Sequence, residues 1–386
     1  MTHCDTFSSS SLFQNGGDYA PQPVEYFQPA RIILTKGCHA SDDRRRFAEA
    51  ICRAYPAAEM LDRPGLSHSQ VDLGTDDPLR RHQAGKQTLV LGEHKSAVRF
   101  SDEQANCCPN YWHFSPYGFC PYGCAYCYLA GTRGVWFSPT VKVFLNVEEM
   151  LGQIDRIARQ AQRPTAFYLG KLQDGLALDP LTGYSRKLVP FFAGHPFARL
   201  VILTKSADIE NLLPLEHRGH VVLSWSLSSE DVWRGFEPGT PPPARRLAAM
   251  RRCAQAGYRI RAVIMPILPI GEWSDGYARL IEELLVTVGV ERITLGSLCS
   301  FENALGLTEA KLGVGNPVSD LLRDSNKSAD GRHRFSQALR QETYRGLIDV
   351  IRSRRSDLEI SLCLEDRSVF ADLGIRGSIG KCNCVL

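Results

Sequence analysis

From Trp112 to Leu298 apolar runs alternate with helical segments, and this alternation constrains the fold more than any other feature of the chain. The runs TAFYL (165–169), RLVILTK (199–205), HVVLSWSL (220–227), IRAVIMPIL (260–268) and RITLGSL (292–298) are continuous apolar stretches. Such strands are buried on both faces, as in a parallel sheet covered by helices. The segment 146–162 predicts a helix, with Asn146 as N-cap and Glu149 at the capping-box spacing. Further helices are predicted near 182–194, 206–213, 241–256 and 275–288. The one at 241–256 opens on a proline run and stops at Gly257, as helices prefer. Strand and helix alternating over this many units leave a barrel or a doubly wound sheet.

Ahead of this series, ARIILTKG predicts a strand, DDRRRFAEAICRAYP a helix with Asp42 or Asp43 near its start, and QTLVLG (87–92) a second strand. The expected organisation is a loose N-terminus over 1–25, an N-terminal α/β segment over 26–110, the main α/β unit over 111–300 and a more polar extension over 301–386. With 386 residues, 44% of them apolar, the chain can bury a large core. Its net charge of +3 does not by itself mark a nucleic-acid binder. No signal-like segment and no membrane-length apolar run occurs, so a soluble cytoplasmic protein is the expectation.

Thirteen cysteines without a secretory signal do not read as a disulfide framework. Three crowd into FCPYGCAYCYL, where Cys120, Cys124 and Cys127 make a C-x3-C-x2-C array. Thiolates suit iron–sulfur clusters, and a 4Fe–4S cluster wants four ligands. Three local thiolates leave one iron open, where the amino and carboxylate groups of S-adenosylmethionine can chelate. An electron passed into the sulfonium then breaks a C–S bond and releases a deoxyadenosyl radical. A flavodoxin or ferredoxin is the expected electron donor. Gly118 and Gly123 let the loop wrap tightly, and Tyr128 suits packing on the adenosine end. The competing readings are a zinc site, which wants a fourth protein ligand, or surface thiols.

The chain resembles the spore photoproduct lyase family of radical S-adenosylmethionine enzymes over roughly 66–300. SHSQV (67–71), KQTLVLGEHK (86–95), CAYCYL (124–129), LALDPLT (176–182), LTKSADIENLL (203–213), FEPGTPPPARR (236–246), AGYRIRAVIMPI (256–267) and EWSDGY (272–277) carry the likeness. The resemblance implies a partial TIM barrel of about six βα units. It also implies cofactor contacts from Tyr126, Tyr128, Lys205 and Ser226, each of which would otherwise read as an ordinary core or strand-end group.

One departure bears on the chemistry. Where the DNA-repair members carry a cysteine that returns a hydrogen atom to the thymine radical, this chain has Lys171. An ammonium has no weak X–H bond to give. A neighbouring serine of those enzymes is Gln173 here, and Asp174 is retained. Lys171 is kept as a catalytic candidate for its position, and Gln173 and Asp174 as cofactor-side candidates.

The tail offers replacement thiols. Cys363, Cys382 and Cys384 (KCNCVL) resemble an uncharacterised branch of the family that ends in a similar CNC. They suggest a second Fe–S cluster, a hydrogen or sulfur donor at Cys382 or Cys384, or inert thiols. The tail is expected to fold back over the barrel mouth. Cys107 and Cys108 read as structural. Residues 323–355 hold nine Lys or Arg against four Asp or Glu, which suits either DNA phosphates or a solvated helix face, the second being favoured. Three functions follow: a radical enzyme acting on a nucleobase or nucleoside, a DNA photoproduct lyase using a tail cysteine, or a non-catalytic Fe–S or zinc protein.

Overall fold

The apolar runs pair side by side, as their two-faced burial requires. The computed structural model describes residues 19–101, 106–325 and 327–386. Its first half holds β1 (Arg31–Leu34), β2 (Glu59–Asp62), β3 (Thr88–Gly92), β4 (Val98–Ser101), β5 (Tyr111–Phe114), β6 (Tyr117–Gly118) and β7 (Val141–Phe144). Then come β8 (Thr165–Leu169), β9 (Ala198–Thr204), β10 (Val221–Leu227), β11 (Arg259–Ile267) and β12 (Arg292–Ser297). A small antiparallel pair, β13 (Cys299–Ser300) and β14 (His333–Arg334), precedes β15 (Glu359–Leu362).

The main sheet runs β15-β12-β11-β10-β9-β8-β5-β4. Every pairing is parallel except β4 with β5. Six of its strands come from 111–300 and form the expected partial barrel, with an edge strand added from each flank. The helices Val147–Ala161, Ser185–Gly194, Pro243–Gln255, Trp273–Thr287 and Gln337–Arg354 present buried apolar faces to the core. Among the described residues no helix is long and apolar enough to cross a membrane.

The second sheet runs β2-β1-β3-β7-β6. It takes β6 and β7 from beyond residue 110, while β4 leaves the N-terminal segment for the barrel sheet. The division expected at 110/111 is therefore crossed in both directions. Of the N-terminus expected to be loose, residues 1–18 lie outside the described residues. The rest is docked: Gln22 N donates to Pro180 O (2.9 Å), and Val24 is buried.

Two local expectations give way to side-chain chemistry. No helix forms over 206–213. Thr204 Oγ1 accepts from Ser206 N (2.8 Å) and Ser206 Oγ from Asp208 N (3.1 Å), which fixes a turn-rich segment before Pro214. Asn146 stands at the N-cap, but its side chain makes no cap bond. Its Oδ1 accepts from His94 N (2.9 Å), and its Nδ2 donates to His94 O (3.2 Å) and Glu149 (3.0 Å). It ties the β3–β4 loop to the helix.

The barrel lumen is polar. Ser224, Arg261, Arg292 and Glu359 stand in one register row across β10, β11, β12 and β15. Two residues further along, on the same faces, come Ser226, Val263 and Thr294. The C-terminal tail enters beside the lower row. Arg292 donates to Cys382 O (3.0 Å), Arg261 to Asn383 O (3.3 Å) and Val385 O (2.5 Å), and Ser224 Oγ to Asn383 Oδ1 (2.8 Å). Cys384 and Val385 pack against Tyr111, Tyr168, Val201 and Val222. The tail thus plugs the lumen from the N-terminal ends of the strands. It does not fold over the mouth, because the buried arginines need its carbonyls as acceptors.

Candidate active site

The cysteine array occupies the loop between β6 and a short 3-10 turn at Tyr128–Gly131. Four residues outside it clamp it. Lys86 donates to Cys120 O and to Tyr122 O (2.7 Å) and lies 3.6 Å over the Phe119 ring centroid. Gly123 N donates to Pro238 O (3.1 Å), Ala125 N to Phe236 O (2.8 Å), and Thr308 Oγ1 to Ala125 O (3.1 Å). A Cβ at Gly123 would meet Pro238 O at 3.0 Å, tighter than an ordinary contact, so glycine suits the close approach. Burial pushes the Cys120 and Cys124 thiols up, opposed by the Lys86 ammonium at Cys120 and the Lys205 ammonium at Cys124.

A buried charge network backs the loop. Glu237 accepts from Lys205 Nζ (2.6 Å), Arg246 Nη2 (2.5 Å) and the Tyr126 hydroxyl. Lys205 Nζ also reaches Tyr126 Oη (2.9 Å). Burial alone would raise the Glu237 carboxyl, but Lys205 and Arg246 win and hold it well below the carboxylate range. Two cations on one carboxylate leave a net positive charge next to Cys124.

The remaining candidates sit at strand ends around the same cavity, whose volume is 260 Å³. Asp174 is buried and accepts from Leu176 N (3.0 Å), Ala177 N (2.8 Å), Thr204 Oγ1 (2.5 Å) and Lys205 N (2.7 Å). It splices the end of β8 to the end of β9. Burial pushes its carboxyl up, and these hydrogen bonds oppose that. Gln173 Nε2 donates to Phe114 O (3.1 Å), while its buried Oε1 has no partner among the described residues. Ser226 Oγ donates to Met265 O (2.8 Å). Lys171 donates to Ser101 Oγ and lies 5.1 Å over the Tyr111 ring. Tyr128 is half-buried, and burial pushes its hydroxyl up.

All of these line the one cavity, together with the three loop cysteines, Cys363, Cys382 and Cys384. Sequence reasoning missed three further members. Cys108, read as structural, lines the cavity and lies beside Cys363 and Cys382. Asn383 lines it too, and its buried Nδ2 has no partner among the described residues. Arg332 lines it 5.1 Å over the Phe301 ring. Its only sequence signal was membership of the basic segment 323–355. Much of that segment is spent in ion pairs: Arg323–Glu309 (2.6 Å), Lys327–Glu302 (2.8 Å), Arg334–Asp330 (2.5 Å), Arg340–Glu365 (3.0 Å) and Arg354–Glu282 (2.6 Å). It is not an open phosphate track.

The donor set fits a thiolate-held cluster. Cys120, Cys124 and Cys127 lie on one loop in the lining of the cavity, and the one carboxylate there, Asp174, already has its oxygens occupied.

Comparison with known proteins agrees with this geometry. A family model described as spore photoproduct lyase matches residues 45–296. The spore photoproduct lyase of Bacillus subtilis (strain 168) is 30% identical over 268 residues, covering 69% of this chain and 73% of the relative. That of Geobacillus sp. (strain Y412MC61) is 31% identical over 225 residues, covering 58% and 64%. A solved spore photoproduct lyase complexed with dinucleoside spore photoproduct superposes with a TM-score of 0.76 at 22% identity, covering 88% of this chain and 100% of that one. A variant of such a lyase with bound AdoMet and dinucleoside spore photoproduct gives 0.75, at 22% identity and covering 87% and 99%.

Proposed function

This chain belongs to the spore photoproduct lyase family, and from that premise we propose a radical S-adenosylmethionine enzyme that acts on a nucleobase or nucleoside-like substrate. Cys120, Cys124 and Cys127 would hold the 4Fe–4S cluster. When bound, the cluster supplies the electron that cleaves S-adenosylmethionine to a deoxyadenosyl radical. Lys205 and Arg246 keep positive charge beside Cys124, and Glu237 fixes both cations in place. Tyr126, Tyr128, Lys205 and Ser226 frame the space that S-adenosylmethionine would take. Asp174 acts through the backbone it anchors.

Among the described residues Gln173 Oε1 and Asn383 Nδ2 have no hydrogen-bond partner, and both residues line the cavity with Tyr111 and Tyr168. Amides that pair with donor and acceptor edges suit a base. The electron would come from a flavodoxin or ferredoxin.

One observation carries the reading: tail thiols and Lys171 line the same cavity as the cluster loop. It also favours a second reading, photoproduct reversal with a tail cysteine as hydrogen donor. Cys384 would give its S–H hydrogen to the product radical, and the resulting thiyl would take one back from deoxyadenosine. The test is anaerobic turnover of dinucleoside spore photoproduct, with undamaged nucleosides in parallel, by the wild type and Cys384→Ala. Regenerated thymidine that the variant no longer forms supports reversal. Modified nucleoside without regenerated thymidine supports different base chemistry. Deoxyadenosine formation that none of these substrates stimulates removes the nucleoside reading.

A further inference from the structure

Thiols from three distant parts of the chain meet at the floor of the cavity. Cys108 precedes β5, Cys363 follows β15, and Cys382 stands in the tail. Their sulfur atoms all lie within 4.8 Å of one another, and Cys384 Sγ is 4.0 Å from Cys382 Sγ. Around a tetrahedral ion with metal–sulfur bonds of about 2.3 Å, thiolates sit roughly 3.8 Å apart. A cubane cluster spreads its thiolates over the corners of a larger cage. The crowding therefore matches one ion better than a second Fe–S cluster. It is also far looser than a disulfide, whose sulfurs are about 2.05 Å apart.

We infer that Cys108, Cys363 and Cys382 form a binding site for a single thiophilic divalent ion of the zinc class, separate from the cluster site. The backbone of each ligand is already fixed. Cys108 N donates to Asn106 Oδ1 (2.9 Å), Cys363 N to Leu295 O (2.8 Å), and Cys382 O accepts from Arg292 (3.0 Å). Little chain entropy remains to be lost on binding. The ion joins the tail to β15 and to the segment before β5. All three thiols line the cavity, so the fourth coordination position faces it. Three protein ligands and an open position is the arrangement of a reactive zinc site, whereas a structural site is closed by a fourth ligand. Cys384 is the nearest further thiol, but it lies outside the mutually close set.

The test is metal analysis of the full chain, purified anaerobically and then reconstituted with iron and sulfide. The wild type is expected to carry about one zinc beside about four irons. Cys108→Ser, Cys363→Ser and Cys382→Ser should each cut zinc at least tenfold while keeping the irons, which shows that the fold is intact. Cys384→Ser should keep its zinc. A triple Cys120→Ala, Cys124→Ala, Cys127→Ala variant should keep zinc and lose iron, so the inference stands or falls apart from the family chemistry. Cobalt added to the zinc-stripped wild type should give thiolate-to-cobalt charge-transfer absorption, a readout that needs no variant. A wild type that binds neither zinc nor cobalt overturns the site. Iron falling by half in the three serine variants overturns it in favour of a second cluster. Zinc lost from Cys384→Ser overturns the open position.

Discussion

Glu237→Gln removes the carboxylate on which the buried network behind the cluster loop converges. The side chains of Glu237 and Arg246 are wholly buried, and that of Lys205 is 13% exposed. Without the anion, Arg246 keeps hydrogen bonds to Pro241 O (2.8 Å), Ser226 O (3.1 Å) and Thr240 Oγ1 (2.8 Å) but has no counter-charge. Lys205 keeps Tyr126 and can still donate to the amide oxygen at 237, but it too loses its counter-charge. Breaking a buried pair from one side costs roughly 3–5 kcal/mol. Two stranded cations put this variant at about 4 kcal/mol or more. Lys205→Met should cost less, because Glu237 stays paired with Arg246. In that background Glu237→Gln should cost about 1–3 kcal/mol less than in the wild type. Urea unfolding of the four proteins of this cycle measures both quantities. The pH dependence is a second check. The Glu237 carboxyl is held below its ordinary value, so its stabilisation is full above about pH 4.3 and is lost as pH falls through the lower folded value. The gap between wild type and variant should stay constant from neutral pH to about pH 5 and narrow below that. A variant within about 1 kcal/mol of the wild type, or strict additivity, would refute the charge-network argument.

Ser226→Ala should cost about 0.5–1.5 kcal/mol of stability through the lost bond to Met265 O. It should weaken S-adenosylmethionine binding by up to about tenfold with iron unchanged, as equilibrium dialysis and iron assay would show; iron lost in step with binding would make the serine structural. His82 is buried beside Lys311 and Lys86, and its imidazole is pushed down to about 2. It stays neutral in the fold while the unfolded chain takes up a proton below about pH 6.5, so it lowers stability as pH falls. His82→Gln should therefore flatten the pH slope of unfolding free energy between about pH 5 and 6 by up to ~1.4 kcal/mol per unit, and an unchanged slope contradicts this. Arg261→Met removes the donor to Asn383 O and Val385 O. It should expose the tail to carboxypeptidase, and a tail as resistant as the wild type's would show that the plug is held by other contacts.

The strands were legible because burial on both faces leaves a continuous apolar run, as in VVLSWSL of β10. The same run hides its functional half. Ser224 and Ser226 face the lumen, and nothing in their spacing distinguishes that from a satisfied core hydroxyl. The three loop cysteines were legible as one group because the C-x3-C-x2-C spacing is local, and the structure keeps them at one cavity. Cys108 and Cys363 were not paired, since 255 positions separate them in sequence and only the closing of the sheet by β15 brings them together. The tail was expected in the cavity but from the wrong side. Its carbonyls are held by Arg261 and Arg292, whose partners lie 90 to 124 positions further along the sequence. The predicted helix over 206–213 failed to a pair of short side-chain bonds that outcompeted backbone ones.

The most direct test of the account is deoxyadenosine formation by the anaerobically reconstituted chain with S-adenosylmethionine and a strong reductant. The wild type should form it, and Cys120→Ala, Cys124→Ala and Cys127→Ala should each abolish it, because each removes a thiolate that anchors the cluster. Full cleavage in any one of these variants, or none in a wild type that carries its four irons, would contradict the assignment.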